Sequence, residues 1–252
     1  MRYIVKRKPF VLYLSVILFL ASVILYSIHY MIFRDVHFLE LYILDHLAFL
    51  PIEVLLVTVI IGSLLGYREK NNRLQKMNTV IGTFYSEVGR ELLSLLSLAD
   101  SDLETKQTLL KHMIKWSKKD FANIRKSLTE SECKIACTNL ELPLLKEFLV
   151  NRRGFLLRLM ENPNLLEHDQ FTNLMQAVFH LLEELQFRPS FDKLPQADYA
   201  HLSGDAKRVY TPLLLQWLDH MLYLKQFYPY LFSLSARINP FDPDSSVILT
   251  GE

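Results

Sequence analysis

A run of 25 residues, Pro9 to Phe33, contains no Asp, Glu, Lys or Arg. About 20 apolar residues in a helix cross the hydrocarbon core of a bilayer. Irregular backbone cannot lie there with its N–H and C=O groups unpaired. The run is therefore read as a membrane helix with length to spare for tilt. A cleaved signal would have an apolar stretch of roughly 7–15 residues and a small-residue cleavage site. This run is longer, has no A-x-A-like end, and precedes a second apolar stretch, Leu47 to Gly66, whose only charge is Glu53. The expected arrangement is a retained helical hairpin over residues 1–66, with spans 9–33 and 47–66 and a short connection over 34–46.

Composition agrees with that division. Of the first 66 residues, 45 are hydrophobic, against 82 of the remaining 186. The second share is ordinary for a globular domain and the first is not. The mean hydropathy of +0.15 averages two unlike bodies. Charge divides the same way: residues 1–76 carry nine basic and five acidic groups, and residues 77–252 carry 19 and 22. Arg2, Lys6, Arg7 and Lys8 precede the first span, and Arg68, Lys70, Arg73 and Lys76 follow the second. The connection has Arg34 alone against Asp35, Glu40 and Asp45. The positive-inside rule then places both ends in the cytoplasm of a prokaryotic cell, at its (inner) membrane. No basic stripe marks a nucleic-acid surface. Two cysteines exclude a disulfide scaffold or a four-cysteine zinc site.

Glu53 is the most unusual residue in the spans. It lies six residues from the outer end of its span, about 9 Å deep. A carboxylate at such depth protonates or finds a partner. With a connection over 34–46, the first helix offers Tyr26 and Ser27 at similar depth. Two readings stay open: an ion or proton site, or a protonated carboxyl that fixes the hairpin. Thr58, Gly62 and Gly66 form a small-residue stripe with Gly62-x-x-x-Gly66 spacing. Such a stripe packs either on the first helix or on a second copy of the chain.

Beyond Gly66, Leu74, Met77, Ile81, Phe84, Val88, Leu92 and Leu95 recur at threes and fours, which predicts a helix over 67–98. Gly82 and Gly89 each weaken it by about 1 kcal/mol relative to Ala, so the first helix of a bundle is favoured over a free dimer stalk. Residues 99–238 read as helices only. Ser101-x-x-Glu104 is a capping box opening a helix to about Leu128. Thr129 or Ser131 starts a short helix through Cys137. Further helices end at Asn162-Pro163 and before Pro189. A long connection over 188–204 leads to a final aromatic helix from Asp205 to about Arg237, and 239–252 is a tail.

No nucleotide-binding, nucleophile-elbow or zincin motif occurs. Cys133 and Cys137 read as small buried hydrophobes on one helix. His180 with Glu183 and Glu184, and Asp198, His201 and Asp205, are the scattered metal-type donors. Helical di-metal bundles use Glu-x-x-His, which is absent, so Asp198, His201 and Asp205 are expected to order the connection. No metal, cofactor or catalytic residue is predicted. Trp217, Tyr223, Phe227, Tyr228, Tyr230 and Phe232 are expected in the core.

Two stretches carry a resemblance. One is Asp45-His46-Leu47-Ala48-Phe49-Leu50-Pro51-Ile52-Glu53-Val54-Leu55-Leu56-Val57-Thr58, running on through Arg68-Glu69-Lys70 to Phe84-Tyr85-Ser86-Glu87-Val88-Gly89. The other is Tyr228-Pro229-Tyr230-Leu231-Phe232-Ser233-Leu234 with Asn239-Pro240-Phe241. The chain resembles a family of uncharacterised prokaryotic two-span membrane proteins. The resemblance implies two spans and a helical cytosolic body, and no activity. The expected fold is all-α, a transmembrane hairpin followed by a cytosolic bundle. The expected role is a membrane-anchored interaction or signalling module, whose partners are the bilayer, a second copy and an unidentified protein. The alternative is a small oligomeric channel or ion-binding protein using Glu53.

Overall fold

Two residues, Arg34 and Asp35, make the whole connection between the first two helices, α1 (Arg7–Phe33) and α2 (Val36–Phe84). Arg34 takes φ 49°, and its N–H donates to the Tyr30 carbonyl at 2.9 Å. That left-handed residue with a bond back to the last turn ends a helix. Asp35 starts the next: its Oδ1 accepts from the Phe38 N–H at 3.1 Å, satisfying an orphan donor of the first turn. Residues 36–46, expected as a connection, are therefore helical. Pro51 lies inside α2 without ending it.

The computed structural model describes residues 7–131, 133–166 and 168–248, with the side chains of 7–12, 39, 70–73, 164 and 166 outside the description. Arg2, Lys6 and the last four residues of the tail also lie outside it, as do the side chains of Arg7, Lys8, Lys70 and Arg73 named for the basic flanks. The chain divides into two units, Met1–Glu69 and Lys70–Glu252, and α2 supplies residues to both. The described residues are helical apart from turns and one isolated bridge.

In the first unit, every described side chain from Tyr13 to Glu69 is exposed except His29, which is partly buried. The second unit has its own core. Its first element is the end of α2, where Met77, Ile81 and Phe84 are buried. A π-turn over Tyr85–Gly89 follows, then α3 (Arg90–Ser97), and Val88 and Leu92 extend the buried stripe. The apolar period read from the sequence thus lines a bundle core, and only Leu74 of its early members stays exposed.

Gly89 has a packing role that helix propensity hides. A Cβ there would come within 2.6 Å of the Tyr85 ring and 2.7 Å of the Phe84 ring. Both rings are buried, so neither swings away cheaply. Gly89→Ala is expected to destabilise this unit by about 1–3 kcal/mol through overpacking, exceeding the roughly 1 kcal/mol that alanine gains as a helix former. A rise in the urea midpoint of the variant would contradict this.

The next helices are shorter than the sequence pattern suggests. α4 covers Leu103–Leu110, with Asp102 at its N-cap and no side-chain cap. The capping box falls sixteen residues later. Ser117 accepts from the Asp120 N–H, and Asp120 accepts from the Ser117 N–H at 2.7 Å, opening α5 (Lys118–Glu130). The expected helix through Cys137 is absent. Residues 133–136 are non-helical, Ile135 bridges Asp100, and Cys137 begins a single 3₁₀ turn. Cys133 and Cys137 are free and buried, and burial pushes both thiols up. They are inert hydrophobes, but not neighbours on one helix.

α6 (Leu142–Met160), α7 (Pro163–Leu166) and α8 (Asp169–Gln186) follow. His168 caps α8, its Nδ1 accepting from the Phe171 N–H at 3.0 Å. α9 runs from Gln196 to Phe227 through Pro212, and α10 (Pro229–Arg237) restarts at Pro229. α9 is the central helix, packed by α3, α5, α8 and α10. It begins nine residues before the expected Asp205. Pro195 is compatible with a helix start, and Gly204, the expected end of the connection, lies within the helix in open space.

Candidate functional site

The early start of α2 separates the polar residues expected to meet in the hairpin. Glu53 lies 17 residues into α2 from Val36, and Tyr26 seven residues before the end of α1 at Phe33. At 1.5 Å per residue they stand about 26 Å and 10 Å along their own helices from the turn. Ser27 is engaged elsewhere, its Oγ donating to the Val23 carbonyl at 2.8 Å. Tyr26 instead lines a cavity of about 460 Å³ with His29, Phe38 and Tyr42. Glu53 is exposed. Thr58, Gly62 and Gly66 share one face of α2, and a Cβ added at either glycine meets nothing within 4 Å. The stripe therefore does not pack on α1.

In the second unit the structure brings together residues that the sequence scatters. His180 and Glu184 lie one turn apart on α8, and His201 and Asp205 one turn apart on α9. One ligand atom from each lies within 4.8 Å of all the others. His180 Nε2 is 3.4 Å from Asp205 Oδ1. His201 Nε2 is 3.5 Å from Glu184 Oε2 and 3.3 Å from Asp205 Oδ2. The two imidazoles are about half exposed, whereas the Asp205 side chain is 2% exposed.

Two arginines hold these carboxylates. Arg208 pairs with Asp205 Oδ1. Arg188 forks onto Asp198 at 2.7 and 3.0 Å and donates to Glu184 Oε2 at 2.7 Å. The hydrogen bond from Arg188 keeps the carboxyls of both Glu184 and Asp198 below their ordinary range, so both are ionised at neutral pH. Asp205 Oδ2 has no hydrogen-bond partner although it is buried. Asp198, His201 and Asp205, expected to order a loop, are helical; Asp198 supports the cluster from one turn before His201.

A groove of about 460 Å³ lies elsewhere in the same unit, between the end of α2, α9 and α10. The Gly82 backbone, Tyr85, Arg90, Trp217, His220 and Tyr223 contribute to its wall. Tyr85 stacks on His220 with ring centres 5.3 Å apart and donates to the Leu213 carbonyl at 2.8 Å. Burial, then Asp219, pushes the Tyr85 phenol up, so it remains a donor. His220 is 8% exposed and its Nδ1 has no partner. Desolvation pushes its pKa down to about 4, which keeps it neutral. Of the aromatics expected in the core, Trp217 and Phe232 are buried and Tyr223 and Tyr228 partly so, while Phe227 and Tyr230 are exposed.

The described residues define an all-helical protein in which two long apolar helices precede a helical bundle. Residues 6–65 match the description "MJ1433, N-terminal helical domain", and residues 73–237 match "Uncharacterized protein MJ1433, C-terminal helical domain". The chain is 44% identical over 241 residues to "Uncharacterized protein MJ1433" of Methanocaldococcus jannaschii, an alignment covering 96% of this chain and 97% of the relative. The chain belongs to this uncharacterised family. No solved structure matches it.

Proposed function

We propose that the chain is a membrane-anchored helical interaction module, held by its hairpin in the prokaryotic cell (inner) membrane, with both termini and the second unit in the cytoplasm. One observation carries this reading. From Tyr13 to Tyr67 the described large apolar side chains of α1 and α2 are exposed, while the second unit buries a core of its own. Large contiguous apolar surface in water marks an interaction or membrane site, and both helices exceed the length a bilayer requires.

The Thr58, Gly62 and Gly66 face carries the small-residue spacing by which membrane helices pack closely, and a second copy is its proposed occupant. In Gly62→Cys, introduced with both native cysteines replaced by serine, oxidation in membranes is expected to give a covalent dimer; monomer alone would remove the dimer from this proposal. For topology, Glu40→Cys in the same background should react with an impermeant thiol reagent on intact cells. Ser246→Cys should react only after permeabilisation. The reverse pattern would contradict the orientation.

A further inference from the structure

We propose that His180, Glu184, His201 and Asp205 bind a divalent first-row transition-metal ion of the zinc class, clipping α8 to α9. These residues do not form the Glu-x-x-His pattern of helical di-metal bundles. The donors are instead His-x-x-x-Glu on one helix and His-x-x-x-Asp on the next. On a helix, residues four apart lie on the same face, so each helix presents an imidazole and a carboxylate together.

The geometry suits such an ion. Zinc bonds to nitrogen and carboxylate oxygen run about 2.0–2.2 Å. The edge of a tetrahedron built on them is about 3.4 Å. Three donor contacts, 3.3, 3.4 and 3.5 Å, are close to that edge, the first two through different oxygens of Asp205, and one ligand atom from each of the four residues lies within 4.8 Å of the others. Two imidazoles with two carboxylates are the ligand softness that zinc, cobalt and nickel accept, whereas calcium and magnesium prefer oxygen alone.

Asp205 supplies an independent indication. Its side chain is buried, and Oδ2 reaches the cluster without a hydrogen bond. His201 Nε2 is its polar neighbour at 3.3 Å, out of hydrogen-bond geometry; a buried carboxylate oxygen so poorly satisfied is costly, and a cation among these four donors would satisfy it. Arg208 and Arg188 occupy the outer positions, where they orient the two ligating carboxylates as outer-sphere partners do.

The site is open on one side. His180 and Arg208 also border a cleft of about 400 Å³ with Asn173, Gln176 and Pro212. An additional ligand, water or an anion, can approach the metal from there.

The test uses the full chain in detergent, without a polyhistidine tag, stripped by a chelator and titrated with Co²⁺ and Zn²⁺. One ion per chain is expected, with the visible absorption of four- or five-coordinate Co²⁺ and displacement by Zn²⁺. Loss of an outer-sphere partner typically costs 10–100-fold in affinity, so removing a ligand should cost more than about 100-fold. His180→Gln and His201→Gln are the decisive variants, because both side chains are half exposed and leave the core intact. Asp205→Asn tests the buried anchor, with its far-UV ellipticity compared with the parent. Wild-type binding lost in the histidine variants supports the site. No binding, binding undiminished in those variants, or Mg²⁺ and Ca²⁺ bound as tightly as Zn²⁺ overturns it.

Discussion

Replacing Lys106 by methionine is expected to destabilise the second unit by about 3–5 kcal/mol, the cost of leaving one charge of a buried pair alone. Lys106 and Asp100 form an ion pair with side chains only 6% and 0% exposed. The pair stands at a junction of the fold. Asp100 Oδ1 accepts from the Asp102 N–H at 3.1 Å, at the start of α4, and Asp100 itself bridges Ile135. The lysine ammonium also lies 5.6 Å from the centre of the Tyr210 ring on α9. Methionine keeps the apolar volume of the lysine stem but removes the cation, so a buried carboxylate remains without its counter-charge. The double replacement Asp100→Asn with Lys106→Met removes both charges, and its cost should be much smaller than that of Lys106→Met alone. Both tryptophans, Trp116 and Trp217, lie in this unit, so urea unfolding followed by their fluorescence reads it without contribution from the hairpin. A loss below about 1 kcal/mol in Lys106→Met, a value ordinary for exposed pairs, would contradict the account.

The second large effect is a loss of stability on acidification that traces to His220. Its pKa falls from 6.5 to about 4 because the ring is desolvated against Tyr85 and α2. Between those values the unfolded chain takes up a proton that the folded chain refuses. The contribution is therefore fully present above pH 6.5 and is lost as pH falls toward 4, where it reaches about 3 kcal/mol. Carboxylates held by arginine, such as Glu184 and Asp198, add loss at lower pH, below their ordinary range. His220→Gln isolates the histidine, since a glutamine cannot take the proton. Tryptophan-monitored urea midpoints from pH 7 to 4 should fall less steeply in the variant. Parallel slopes in the two proteins would show that His220 does not carry the effect.

Both groups show what a sequence conveys and what it does not. The charge-free run from Pro9 is legible because a bilayer-length apolar stretch needs no tertiary context. The stripe from Met77 to Leu92 is legible because its period is that of a helix. The start of α2 was hidden by the polar residues of 34–46. Asp35 is an N-cap signal there, but Arg34 in a left-handed conformation is not a residue that announces a turn. Ser101-x-x-Glu104 and Ser117-x-x-Asp120 both read as helix starts, and only packing decides between them. The loss of the expected helix through Cys137 has the same origin: Ser101 N–H and Ala136 N–H bond across to Lys134 and Ala99 carbonyls, pairing that one segment alone cannot reveal. For the metal cluster, the spacing within each helix was visible. Pro189 and Pro195 read as one long connection, whereas α9 begins directly after Pro195. The pairing of α8 with α9 depends on a tertiary contact that no local pattern encodes.

The claim on which the rest depends is that α1 and α2 anchor the chain in a bilayer. Membranes from cells producing the full chain, washed at alkaline pH in carbonate and then in urea, test it most directly. The account predicts that the chain stays in the membrane pellet through both washes and leaves only with detergent. Recovery in the carbonate supernatant would contradict it.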